Sequence, residues 1–166
     1  MILLDTNVVS EWMKVVPEPE VIAWLDRQHP SHLHISAVTK AEIETGIALL
    51  PDGRRCEALR LAAQVVFSAL HGRCLAFDCA VVPHYASILT RSKRLGRPVS
   101  VEDAQIAAIA YANNLELATR NRKDFDLALY GFQTGARSEL NLGVGRQRPR
   151  NSVGSIGNPH RRRAIS

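Results

Sequence analysis

Short apolar runs separated by longer stretches of helical periodicity constrain this chain more than any other feature. Ile2 to Leu4, Leu33 to Ser36, Cys74 to Phe77 and Leu115 to Thr119 are short, mostly apolar and bounded by polar or turn residues, so each reads as a buried strand. Between them, apolar residues recur at helical spacing over Thr6 to Met13, Glu20 to Gln28, about Thr39 to Leu50, Arg55 to Leu70, Cys79 to Leu95 and Val101 to Ala112. Pro17 and Pro19 lead into the second helix, Pro51-Asp52-Gly53 is a turn, Pro83 perturbs the fifth helix, and Asn113-Asn114 closes the sixth. Parallel strands cannot be joined by a tight hairpin, so strands alternating with helices imply an α/β fold: a central parallel sheet flanked by crossover helices.

The pattern fades toward the end of the chain. Leu129 to Thr134 supplies one last candidate strand, and residues 135–166 are rich in Gly, Arg, Ser, Asn and Pro with little apolar periodicity, the composition of a disordered tail. The expected organisation is one domain over 1–134 followed by an Arg/Gly-rich tail over 135–166. At 166 residues and 46% hydrophobic, the chain can bury a core without disulfide staples. Its net charge of +5 belongs to the tail. Residues 1–136 carry 14 Lys+Arg against 15 Asp+Glu, whereas the remaining 7 basic residues face Glu139 alone. Cys56, Cys74 and Cys79 are odd in number and lack CxxC spacing, which argues against a disulfide framework or a zinc knuckle and fits a reducing cytoplasm. Met1 runs directly into Ile2-Leu3-Leu4-Asp5, so neither a signal peptide nor a membrane span is expected.

Four acids fall where strands end or helices begin: Asp5, Glu42, Asp103 and Asp124. A parallel sheet gathers such positions into one crevice at the carboxyl ends of its strands. Each also has an ordinary structural reading. Asp5, followed by Thr6 and Asn7, could cap a helix. Thr39-Lys40-Ala41-Glu42 and Ser100-Val101-Glu102-Asp103 both match a capping box, and Asp124 could cap from a polar loop. Helical spacing aligns Asp103 with Ile106, Ala107 and Ala110 on the inward stripe, leaving Glu102 to water; Glu44 reads as a surface neighbour of Glu42. Two carboxylates about 4 Å apart repel by roughly 1 to 4 kcal/mol, so a converging set persists only when protonated or holding a cation. All-oxygen donors without paired His or Cys point to Mg²⁺ or Mn²⁺. Arg120, Arg122 and Lys123 beside this cluster are candidates to face a phosphate backbone. The six histidines form no triad with any serine, and no phosphate-binding glycine loop occurs.

These residues also carry a family signature. Ile2-Leu3-Leu4-Asp5-Thr6-Asn7-Val8-Val9-Ser10-Glu11 resembles the opening of PIN-domain ribonucleases, specifically the VapC and FitB-like toxins of prokaryotic toxin–antitoxin pairs. The likeness continues in order through Ile35 to Thr39 with Glu42 and Gly46, Gly96 to Ser100 with Asp103, and Leu117 to Asn121 with Asp124-Phe125. It implies a PIN-like three-layer fold and a Mg²⁺- or Mn²⁺-dependent endoribonuclease that cuts RNA phosphodiesters. It further implies neutralisation by a VapB-like antitoxin, promoter DNA binding only through that antitoxin, and a homodimer. By position, Asp5, Glu42 and Asp103 match the family's metal-holding acids, Asp124 would be the fourth catalytic acid, Thr6 would orient water or a ligand, and Asn7 would brace the loop. Asn121 stands where many members have an acid, as in a Thr-Arg-Asn branch, which leaves one metal or two open. That departure permits the alternative of a catalytically impaired PIN module that binds antitoxin or RNA without cleaving. A haloacid-dehalogenase-type phosphatase, which needs a second Asp two positions after the first, is disfavoured because Asn7 stands there.

Overall fold

The computed structural model describes residues 1–121. The candidate strand at 129–134, the tail, and Arg122, Lys123 and Asp124 lie outside the described residues. Strands β1 (Ile2–Leu4), β2 (Leu33–Ser36), β3 (Cys74–Leu75) and β4 (Glu116–Ala118) form one sheet in the order β3-β2-β1-β4, with every pairing parallel. Helices α1 (Thr6–Trp12), α2 (Pro19–Asp26), α3 (Ala37–Ala48), α4 (Arg54–Ala69), α5 (Val82–Arg94) and α6 (Val101–Ala112) supply the crossovers, so the expected α/β architecture is the observed one. The chain builds outward from β1 through β2 to β3, then returns to lay β4 on the other side of β1. Strand order therefore reverses between β1 and β4. At such a reversal the connections leave in opposite directions and a crevice opens beyond the strand ends.

Alternation along the strands divides the core into two layers. Ile2 and Leu4 join Val8, Val9, Val21, Leu25, Leu33, Ile35, Ile43 and Val66 on one face. Leu3, one position out of phase, points to the other face with Leu117, Ile88, Ile106 and Ile109. Helix α6 is buried nearly all round: Ala104, Ile106, Ala107, Ala108, Ile109 and Ala110 are fully enclosed. Its many alanines let neighbouring backbones come close, and their burial fixes where the first turn of α6, with Asp103, meets the sheet.

Local chemistry explains where element ends differ from the sequence reading. Helix α3 begins two residues earlier than expected because Ser36 is the cap: its Oγ accepts from the Thr39 N–H at 2.8 Å. Helix α5 begins at Val82 rather than Cys79, placing Pro83 in its first turn, where a missing N–H costs nothing. Asp78 holds the preceding turn by accepting from the amides of Ala80 and Val81 at 3.0 and 3.3 Å. Edge strand β3 stops after two residues instead of four, and Phe77 turns to pack edge-on against Tyr85.

The closure of α6 sets the entry into β4. Asn114 adopts φ 53°, its N–H donates to the Tyr111 carbonyl at 3.1 Å, and the Leu115 N–H donates to Ala110 at 2.9 Å. This Schellman arrangement caps the last carbonyls of the helix and aims Leu115 back into the core. Asn114→Ala should lower stability by about 1 kcal/mol in denaturant unfolding, the cost of a Cβ in left-handed backbone without an amide to offset it, while Asn114→Gly should not lower it.

Candidate functional site

The β1–β4 register creates the centre of the site. Leu4 pairs with Ala118, and the Asp5 N–H donates to the Ala118 carbonyl at 3.0 Å, so the residues that leave the two strands, Asp5 and Thr119, emerge side by side. Both are buried. Thr119 Oγ1 donates to Asp5 Oδ2 at 2.7 Å and accepts from Asn7 Nδ2 at 3.1 Å and from the Asn121 N–H at 2.9 Å. Asn7 Nδ2 also donates to Asp5 Oδ2 at 2.6 Å, and its Oδ1 accepts from the Arg120 N–H at 3.0 Å. Asp5 Oδ1 accepts from the Thr6 N–H at 2.7 Å, which makes Asp5 the cap of α1. The capping reading and the functional reading of Asp5 thus describe the same side chain, since one oxygen caps while the other is held by Asn7 and Thr119.

Glu42 reaches the site from α3. Because Ser36 caps that helix, Glu42 lies in its second turn, and the capping-box reading of Thr39 to Glu42 is overturned. Its Oε2 instead accepts from Thr6 Oγ1 at 2.6 Å, tying α3 to the start of α1. Glu44 sits outward and pairs with Lys40 at 3.7 Å on the surface. Asp103 stands partly buried in the first turn of α6, where Ser100 is the cap and accepts from its N–H at 2.9 Å; Glu102 is exposed.

Electrostatics link the three acids. Burial pushes the Asp5 carboxyl up to about 6 against hydrogen bonds from Thr119 and the Thr6 N–H that pull it down, and the nearby charges of Asp103 and Glu42 push it further up. The fold therefore brings Glu42 and Asp103 within electrostatic range of Asp5. Among the described residues, no three His, Cys, Asp or Glu side chains stand close enough to enclose an ion. The donors are hard oxygens, and among the described residues the buried Asp5 carboxylate has no cationic partner among its hydrogen bonds.

Two residues in this region fall within the family signature, yet neither residue type nor spacing gives them a role there. Thr119 is the hub of the Asp5 hydrogen bonds; its signal is its place one residue beyond a strand, legible only once β4 is known to pair with β1. Glu11 is the other. It is buried on α1, and accepts from Lys14 Nζ at 2.6 Å, the Glu18 N–H at 2.6 Å and Arg120 Nη1 at 2.8 Å. These donors, Lys14 foremost, hold its carboxyl below the usual range. Arg120, a candidate phosphate contact, accordingly has its guanidinium anchored on Glu11 while 40% of the side chain stays exposed.

Two measurements test this geometry. Without divalent cation, Asp5 is protonated in the folded state and ionised in the unfolded state between about pH 4 and 6, so the native state holds the extra proton and its contribution to stability falls as pH rises through that window. The unfolding free energy of the wild type minus that of Asp5→Asn should drop by on the order of 3 kcal/mol from pH 4 to pH 7 in chelator, because each tenfold difference in proton affinity between the two states is worth about 1.4 kcal/mol. Thr119→Val, which keeps the shape and removes the hydroxyl, should cost on the order of 2 kcal/mol by leaving buried partners unpaired.

Comparisons with known proteins agree with this architecture. The family model described as PIN domain matches residues 2–128. The chain is 40% identical over 130 residues to the VapC ribonuclease Y4jK of Sinorhizobium fredii, covering 77% of this chain and 92% of that protein. It is 38% identical over 134 residues to Toxin FitB of Neisseria gonorrhoeae, covering 78% and 96%. The crystal structure of FitAcB from Neisseria gonorrhoeae superposes with a TM-score of 0.71 at 39% identity, over 77% of this chain and 93% of that one. With its parallel sheet, its buried Asp5 at the β1–β4 switch and this match over most of its length, the chain belongs to the PIN domain family.

Proposed function

We propose that this protein is a Mg²⁺- or Mn²⁺-dependent endoribonuclease, the toxin of a toxin–antitoxin pair that works in the cytoplasm and is neutralised by a VapB-like antitoxin. The observation that carries the reading is the buried Asp5, braced by Asn7 and Thr119 and placed within the field of Glu42 and Asp103 at the sheet's switch point. Relatives named as a VapC ribonuclease and as Toxin FitB support the activity class, and a solved neighbour described as a member of the VapBC family of toxin-antitoxin systems from Mycobacterium tuberculosis, 25% identical with a TM-score of 0.58, supports an antitoxin as partner. Among the described residues no helix is long and apolar enough to cross a membrane.

In this reading Asp5, Glu42 and Asp103 hold the cation, and Asp124 is the fourth catalytic acid. When bound, the ion supplies a polarised water and offsets charge that develops on the phosphate. Thr119 and Asn7 favour the ionised Asp5 carboxylate and fix its direction by donating to Oδ2. The Thr6 hydroxyl holds Glu42 facing α1 by donating to its Oε2. Asn121 supplies its N–H to the Thr119 hydroxyl and so supports the same brace. Arg120, Arg122 and Lys123 attract the RNA backbone, and the guanidinium of Arg120 is presented at the surface by its bond to Glu11.

The test is cleavage of single-stranded RNA by the purified chain with Mg²⁺ or Mn²⁺ and with chelator. Asp5→Ala, Glu42→Ala and Asp103→Ala should each lower the cleavage rate by a factor on the order of 100 or more, as expected when a charge-stabilising group is removed from a catalytic site. Circular dichroism should show that each variant keeps its fold. RNA binding without cleavage in the wild type would instead establish an impaired PIN module. Mg²⁺ should also raise the melting temperature more at pH 7 than at pH 5, because below about pH 6 the cation competes with a proton on Asp5.

A further inference from the structure

Glu11 is the least expected charge in the structure: an acid near the end of a seven-residue helix, buried, six positions beyond Asp5. A carboxylate out of water is costly unless fully paired, and Glu11 is paired in two directions. One is local: Lys14 Nζ and the Glu18 N–H bind it and close the turn between α1 and α2. The other spans 109 residues to Arg120 Nη1, and the turn has no need of it. Arg120 thereby meets α1 at two points, its N–H on Asn7 Oδ1 and its guanidinium on Glu11 Oε2. Between these anchors and the buried acid lie only Thr119, whose hydroxyl donates to Asp5, and Asn121, whose N–H donates to Thr119.

We infer that Glu11 is a positioning residue for the acid site: by clamping Arg120 to α1 it holds the segment leaving β4 in the geometry that keeps the Thr119 hydroxyl on Asp5. Fixing only the Arg120 backbone would leave one hydrogen bond to resist the pull of solvent on an exposed chain. The second, charge-assisted bond converts a pivot into a fixed mount. As an account of catalysis the inference rests on the nuclease reading; as an account of local order it stands apart from it.

The experiment uses the full chain and four variants: Glu11→Gln, Arg120→Ala, their combination, and Lys14→Ala, which disrupts only the local half of the network. Thermal unfolding monitors the fold throughout. For metal-dependent cleavage of a short single-stranded RNA, Glu11→Gln should lower kcat about five- to tenfold, the loss expected when a bond between two opposite charges becomes one from a cation to a neutral amide oxygen. KM should be unchanged or lower, because a negative charge has been removed. Arg120→Ala should lower kcat by a similar factor, and the double variant should lower it no further. Lys14→Ala should lower the melting temperature and spare kcat. Independently of cleavage, the Arg120 and Asn121 amides should lose hydrogen-exchange protection in Glu11→Gln and keep it in Lys14→Ala. A folded Glu11→Gln with full kcat, additive losses in the double variant, or a Lys14→Ala that reproduces the kcat loss would each overturn the inference. A wild type without cleavage refutes the nuclease reading alone, and the exchange data then decide: retained protection in Glu11→Gln overturns the positioning role, and selective loss upholds it.

Discussion

The parallel pairing of β1 with β4 is the constraint on which the site depends. It sets two strand exits against each other, so a carboxylate from the beginning of the chain and a hydroxyl from beyond residue 118 share a hydrogen bond out of solvent. Every other interaction around Asp5 is arranged about that contact. Asn7 bridges the pair, Asn121 and Arg120 fasten the later segment to it, and Thr6 extends the network to Glu42. The cost of burying the charge appears as an acid pushed well above its ordinary range, an energetic deficit that a divalent cation would relieve.

The two core layers keep this pairing rigid. Leu3 and Leu117 project to one face of the sheet and Ile2 and Leu4 to the other, so sliding β4 by one residue along β1 would turn its apolar side chains the wrong way. Helix α6 is enclosed by alanines and isoleucines and ends in a tight left-handed cap that delivers the chain into β4. Packing on that side therefore determines both where Asp103 stands and where Thr119 emerges.

Much of this is legible from local patterns. Among the described residues, five of the six α-helices and all four strands lie within about two residues of where periodicity and turn residues place them, because amphipathic spacing reports directly on burial. The closing of α6 at Asn113-Asn114 and the cap at Ser100 are equally plain, since both arise from residues adjacent in sequence. Local patterns mislead where neighbours compete. Thr39 and Ser36 are both able to cap α3, and the structure uses Ser36, which moves Glu42 from a capping role to a contact with Thr6. Pro83 could disrupt a helix or open one, and the turn held by Asp78 makes it an opening residue. Glu11 gives no warning at all, because nothing within α1 distinguishes a buried acid from a solvated one.

The sequence by itself determined the alternation of strand and helix, the acidic character of the strand ends and the family to which they point, since each of these is written in residue type and spacing over a few turns of chain. Only the tertiary structure decided that Asp5 leans on Thr119, that Glu42 answers to Thr6, and that Arg120 is moored to Glu11. Those partners are separated by 114, 36 and 109 positions. Strand order brings them together, and strand order is settled by how whole layers pack, which no local pattern records.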